Sequence, residues 1–383
     1  MLPFHYIIRS VMRAPARFFQ QTFGVALVVA LLLGAVSFNE GMDRLLVSSG
    51  SKHNVIFVGA GSEESVERSE VSTRAETLIA AGVRGIETRL GVPAVSGEVH
   101  YMGLVGLPDG SAEQGLLRGV TVEAFEVHRE VRILKGRFPR SGEVMLGRLA
   151  AYQLGSDPAI LGMGSKLEFE GQSFEVVGIF DAPGTVMESE IWIPRTDLQT
   201  LTQRDNLSCV ILRLEDAGAF RYADLFAKQR LDLELSAVRE SDYYRQLSKF
   251  YGPIRWMTLL TAAMIAVGAV FGGLNMLYAA YASRIQELAA LQTIGYSRIG
   301  LFWTLIQESL LSAALGILIA LLLGLWLLEG TMVPFSIGTI LLGISASNFL
   351  IALLVGLLLA VVGVTPPALK CLRTDLPVAL RSA

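Results

Sequence analysis

The chain has 383 residues, 52% of them hydrophobic and 17% charged, with a formal net charge of −3. An ordinary soluble domain carries about 25% charged residues, so the composition excludes a uniformly soluble protein. Lys and Arg are nowhere clustered among aromatics, which argues against a nucleic-acid partner.

The first element is a basic segment over 1–20. Phe4, Ile7, Ile8, Val11 and Met12 recur at helical spacing, while Arg9, Arg13 and Arg17 form an i, i+4 ladder. This predicts a short amphipathic helix in the cytoplasmic membrane interface, its arginines toward anionic lipid headgroups. The apolar run Phe23 to Phe38 then predicts a first span over 21–40. Pro15 sets the basic segment apart from that run, which favours a retained span over a signal peptide ending near Ala35-Val36-Ser37.

Residues 41–250 read as a large α+β domain, big enough for its own core and built of two lobes. Residues 40–250 hold 31 of the 35 acids and 23 of the 32 Lys/Arg, a net of −8, against 9 − 4 = +5 for the rest. Short strands are expected at 54–58, 191–194 and 210–214, and helices at 76–81 and 220–230. Residues 166–179 alternate apolar and polar positions about a Gly-containing turn, the pattern of a β-hairpin. Residues 68–74 read as a loop. Catalytic patterns are missing: His53, His100 and His128 lack metal-ligand spacing, and neither HExxH nor GxSxG occurs. No GxxxxGK[ST] occurs either, so ATP hydrolysis by a P-loop route would have to lie on another chain. No bound cofactor or metal is expected, and the chain reads as a non-catalytic subunit.

Three further apolar runs, Trp256 to Tyr281, Leu301 to Leu328 and about Thr339 to Val364, each reach the ~20 residues a helix needs to cross a bilayer. They predict spans over 251–281, 301–328 and 339–364, joined by segments 282–300 and 329–338 and followed by a tail, 365–383. The fold class is thus a membrane protein with four transmembrane helices, one plus three, around the α+β domain. The basic residues fix its orientation. Arg9, Arg13 and Arg17 precede the first run, Arg284 and Arg298 lie between the second and third, and Lys370, Arg373 and Arg381 follow the fourth. The 329–338 segment has only Glu329. Both termini and 282–300 are therefore expected in the cytoplasm, with the large domain and 329–338 outside. Cys209 and Cys371 then fall in different compartments and cannot pair.

Within 282–300, residues 284–294 suit a helix, and Gly295 sits where a C-cap needs positive φ. Leu288, Leu291 and Ile294 are expected to form an apolar stripe. Such a stripe serves equally to fill a groove on a cytoplasmic partner or to pack on the chain's own membrane helices. Glu308, two turns inside the third run, is costly in lipid and is expected to be paired inside the bundle rather than to carry protons. Gly268, Gly272 and Gly273, with Asn275, would let another helix approach closely, as in a dimer.

Asn275 through Arg284, Glu287 and Ile294-Gly295, then Glu308-Ser309-Leu310 and Gly316, resemble the core pattern of FtsX/MacB-type ABC-transporter permeases. The closing segment Pro367-Ala368 through Leu376-Pro377 to Arg381 resembles that family too, as do Gly136-Arg137 to Gly147 and Lys166 to Gly178 in the large domain. The resemblance implies a type VII, mechanotransmission permease of the bacterial inner membrane. It implies a homo- or heterodimer bound to a separate cytoplasmic ATPase that carries ATP and Mg. The coupling helix on that ATPase would comprise Arg284, Glu287, Leu288, Leu291, Ile294, Gly295 and Tyr296. The work done would be export or extraction of a lipid, lipoprotein or amphipathic compound with a periplasmic adaptor or lipoprotein. Activation of a periplasmic cell-wall hydrolase without transport is the alternative, and a membrane-anchored receptor or scaffold the second. The fused N-terminal ATPase of the MacB form is absent from this sequence.

Overall fold

The computed structural model describes residues 15–282 and 284–374, together with Arg9, Met12 and Arg13. The chain divides into two units. One holds the residues up to Glu40, Pro253–Thr331 and those from Leu342; the other holds Gly41–Gly252 and Met332–Leu341. Most of the amphipathic segment expected at 1–20, and the tail beyond Thr374, lie outside the described residues.

Among the described residues, four helices are long and apolar enough to cross a membrane. They are α1 (Pro15–Ser49), α8 (Gly252–Ala282), α10 (Arg298–Leu327) and α11 (Ala346–Arg373), with mean hydropathy from 2.0 to 2.6. Two of them begin on a local signal. Ser297 Oγ accepts the Gly300 N–H at the start of α10, and Ser345 Oγ accepts that of Asn348 at the start of α11. Glycines let the helices close up. A Cβ on Gly316 of α10 would stand 2.7 Å from the Thr22 carbonyl of α1, and one on Gly356 of α11 would stand 2.4 Å from Ile317. Val29, Leu33, Ile317, Ala320 and Ala352 form the resulting core. Ser309 Oγ donates to the Ala360 carbonyl, and Ser37 Oγ to that of Gly343, so hydroxyls in the bundle find backbone partners.

The inserted unit contains α2 (Thr73–Gly82), α3 (Ala124–Val127), α4 (Ala150–Gln153), α5 (Arg195–Thr202), α6 (Phe220–Gln229) and α7 (Glu240–Phe250). Its strands are β1 (Asn54–Gly59), β2 (Thr88–Arg89), β3 (Val92–Pro93), β4 (Val95–Gly106), β5 (Ala112–Val120), β6 (Arg132–Gly136), β7 (Glu143–Gly147), β8 (Lys166–Phe169), β9 (Gln172–Asp181), β10 (Ile191–Pro194), β11 (Cys209–Arg213) and β12 (Leu235–Arg239). One continuous path, β12-β1-β11-β4-β5-β10-β7-β9-β6, links the strands of this unit. Twelve-residue β4 makes this possible. Val95 to Glu98 pair with β11, and Val99 to Gly106 pair with β5, so one strand serves both halves of the sheet. The hairpin over 166–179 forms β8 and β9 about Glu170 and Gly171, both at positive φ, the geometry of a tight two-residue hairpin turn. Helix α2 starts at Thr73, inside the stretch expected to be a loop.

The largest departure lies at 329–345. Instead of a short loop followed by a helix from 339, the chain forms a hairpin of β13 (Met332–Phe335) and β14 (Gly338–Leu341), and α11 begins only at Ala346. The hairpin belongs to the inserted unit. Gln153 Nε2 donates to the Phe335 carbonyl at 2.8 Å, and the Thr339 N–H to Ser189 Oγ at 2.8 Å. Apolar Thr339 to Leu342 extend the hydropathy run, but their backbone is spent on strand pairing. At the other end α11 continues through Pro366 and Pro367 to Arg373, beyond the expected limit of 364.

Candidate functional site

Helix α9 (Ile285–Thr293) joins α8 to α10. It ends where Gly295 takes φ +108°, and the Tyr296 N–H bonds back to the Leu291 carbonyl, closing the helix. Its first turn is fastened by Arg284. That guanidinium donates to Glu287 Oε2 at 3.1 Å and to Glu308 Oε2 at 3.0 Å, with a longer bond to Glu308 Oε1 at 3.4 Å. Glu308 is 6% exposed, so its partner lies across 24 positions of sequence, on the segment that carries the short helix. The Ser312 hydroxyl lies against both the Glu308 carbonyl (3.2 Å) and Gln21 Oε1 (3.3 Å), which ties this part of α10 to α1.

The apolar stripe is divided. Leu288 is 3% exposed and packs with Leu277, Tyr281, Leu301, Leu305 and Val364, and half-buried Leu291 packs against the same cluster. Ile294 is 75% exposed. The helical pitch explains the split: at about 100° per residue, positions six apart lie about 120° apart around the axis. Leu288 and Leu291 therefore anchor α9 to its own bundle, while Ile294 faces away. Exposed Gln286, Ala290 and Thr293 share an arc of about 100° with Ile294. Tyr296 and Ile299, just beyond the helix, are exposed as well. Arg9 and Arg13 are exposed, and Arg17 falls in α1.

Gly268, Gly272 and Gly273 lie on α8, where a Cβ on any of them would meet nothing within 4 Å among the described residues. Asn275 is exposed on the same helix. Among the described residues no helix packs into the glycines. Gly272 and Gly273 instead border a groove of about 320 Å³ that also takes in Gln20, Gln21, Ser309 and Ser312.

A second polar centre, unforeseen from the sequence, is buried in the inserted unit. Arg118 on β5 makes a two-pronged contact with Glu190, both bonds 2.6 Å, and donates to Glu98 Oε2 at 2.7 Å. His128 Nε2 lies 2.9 Å from Glu98 Oε1, and Trp192 Nε1 donates to Glu190 Oε2. Burial alone would push the Glu98 carboxyl up, but the charges of His128 and Arg118 outweigh it and hold it well below the usual carboxylate range. Nearby Glu240, at the start of α7, accepts the Ser51 N–H at 3.0 Å, just past the end of α1. Burial pushes its carboxyl up to about 7 against the opposing attraction of His128. The only sequence signal for this centre is that Glu98 and His100 stand two apart on a strand, which puts them on one face.

Residues 22–221 match the family described as MacB-like periplasmic core domain, and residues 259–376 match FtsX-like permease C-terminal. The first match takes in more than half of the chain, which therefore belongs to the MacB/FtsX type of ABC transporter permease. An uncharacterized ABC transporter permease protein of Mycobacterium tuberculosis is 24% identical over 272 residues, 64% of this chain but 30% of that protein. The chain thus spans under a third of that relative's length. Among solved structures it is similar to the periplasmic region of MacB from Actinobacillus actinomycetemcomitans, with 13% identity and a TM-score of 0.39 over 53% of this chain and 94% of that one. It is also similar to the extracellular domain of the noncanonic ABC-type transporter YknZ from Gram-positive bacteria, with 16% identity and a TM-score of 0.36 over 48% and 99%.

Proposed function

We infer that this chain is the non-catalytic permease subunit of an ABC transporter, working as a dimer with a separate cytoplasmic ATPase. In this reading the termini and α9 are cytoplasmic, the inserted unit lies outside the inner membrane, and ATP-driven closure of the dimer moves that unit. The work done is export or extraction of a lipid, lipoprotein or amphipathic compound. The observation that carries the reading is the mounting of α9. A nine-residue helix is locked to the bundle by Arg284–Glu308 and Leu288, leaving Ile294 and the arc beside it uncovered. A helix fixed on one face and open on the other transmits force from a docked partner into α8 and α10. The exposed glycines of α8 suit close approach of a second copy in the membrane.

Capture of the tagged full-length protein in mild detergent, with mass spectrometry of what it retains, tests the reading. A retained ATPase with a Walker A lysine is the expected result, and its absence from a folded preparation would overturn it. A retained cell-wall hydrolase without any lipid or lipoprotein cargo would replace transport by signalling.

A further inference from the structure

The polar centre of the inserted unit brings together three side chains of the kinds that hold metal ions. Glu98 and His100 are two apart on β4, and Cys209 on β11 is the register partner of Glu98 across the ladder. Alternation along a strand and direct cross-strand pairing bring all three side chains to one face of the sheet. Their ligand atoms lie within 4.8 Å of one another. His100 Nε2 is 3.3 Å from Glu98 Oε2 and 3.9 Å from Cys209 Sγ. Bond lengths of about 2.0–2.1 Å from zinc to N or O, and about 2.3 Å to S, space tetrahedral donors about 3.3 Å apart for N and O and about 3.6 Å apart for N and S. The two separations from His100 fit the first value and come within a few tenths of an ångström of the second, and Glu98 and Cys209, within 4.8 Å of each other, would draw together on the ion.

The geometry points to a metal site for a zinc-class divalent ion on Glu98, His100 and Cys209. The mixed oxygen, nitrogen and sulfur donors suit zinc better than calcium or magnesium, which take oxygen alone. The surroundings hold the carboxylate ligand in place. Its Oε1 is engaged by His128, and its Oε2 receives Arg118 and His100 Nε2; the ion would take the place of the His100 proton on that oxygen, with His100 then protonated on Nδ1. Arg118 does not cancel the site's attraction for a cation, because its own charge is met by the two-pronged contact with Glu190. His100 is oriented through its backbone, whose N–H donates to Ser208 Oγ. A cavity of about 60 Å³ lies alongside, lined by His100, Cys209, Arg118, Glu190, Glu240 and Tyr243. It offers a way in and room for a water in the fourth position. The bound ion would staple β4 to β11 just before β4 changes partner from β11 to β5, so its occupancy would stiffen the joint between the halves of the sheet.

The test uses the full-length protein in detergent, stripped with a chelator and titrated with Co²⁺ as the spectroscopic probe and with Zn²⁺ in competition against a chromogenic chelator. The expected result is one ion per chain and a near-ultraviolet thiolate-to-cobalt charge-transfer band. The band should vanish in Cys209→Ser and persist in Cys371→Ser, and Zn²⁺ affinity should fall at least 100-fold in Cys209→Ser and in His100→Gln. His100→Gln is the second variant because it removes a different ligand and leaves the Cys209 thiol in the chain. Thermal unfolding should shift upward with Zn²⁺ in the parent and not in these two variants. Absence of the band in the folded parent, or its survival with unchanged affinity in either variant, would overturn the assignment.

Discussion

Replacing Glu240 by Gln should stabilise the protein above neutral pH and do little in acid. The carboxyl lies fully inside the inserted unit and titrates at about 7 against an ordinary 4.5, chiefly because burial disfavours its charge. A raised carboxyl holds more protons in the folded than in the unfolded state between those values, so its contribution to stability falls as pH rises through the window. At about 1.36 kcal/mol per unit, the full cost is about 3 kcal/mol, reached by pH 8; it is near zero at pH 4 and about 1 kcal/mol at pH 5. Gln keeps an oxygen for the Ser51 N–H, so the bond that ties the end of α1 to the start of α7 survives. His128, Glu130 and Arg118 also face this carboxyl, but they are present in both proteins and largely cancel in the difference. The assay is denaturant unfolding of the full-length protein in detergent at several pH values, with inserted-unit fluorescence as the probe. A difference that is flat with pH, or a variant less stable than the parent at pH 8, would refute the assignment of a buried, reluctantly ionised carboxylate.

Removing Arg284 takes from buried Glu308 the guanidinium that meets its charge, so Arg284→Ala should cost about 3–5 kcal/mol in thermal or denaturant unfolding. Replacing both Arg284 and Glu308 by Ala should recover part of that loss, and strictly additive effects would show that the pair is not coupled. Gly316→Ala places a methyl 2.7 Å from the Thr22 carbonyl and should destabilise the α1–α10 contact by about 1–3 kcal/mol, read as a fall in the detergent melting temperature; an unchanged melting temperature would contradict that contact.

Long-range hydropathy made the membrane helices legible, because a bilayer asks for about 20 apolar residues and little else. The strand and helix positions of the inserted domain were readable where alternation and turn chemistry agreed, as about Glu170-Gly171. What escaped was set by contacts distant in sequence. Glu308 announced that it needed a partner, but only the folded chain places Arg284 beside it. Thr339 to Leu342 read as the start of a helix because they are apolar, whereas strand pairing with 332–335 decides their backbone. The stripe on α9 illustrates a limit of spacing: Leu288, Leu291 and Ile294 look continuous in sequence, yet a drift of 60° per step carries the last onto another face. Glu98, His100 and Cys209 converge through a strand pairing that no spacing rule reveals, since Cys209 lies more than 100 positions away.

The most direct measurement is a binding titration of the cognate ATPase on the full-length permease in lipid nanodiscs, comparing the parent with Ile294→Asp. Ile294 is exposed and, among the described residues, lies outside the apolar cluster that holds α9, so its replacement reports docking rather than stability. The expected result is at least a tenfold weaker association with the melting temperature unchanged. Equal affinity for both proteins would contradict the assignment of the open face of α9 as the place where the ATPase engages.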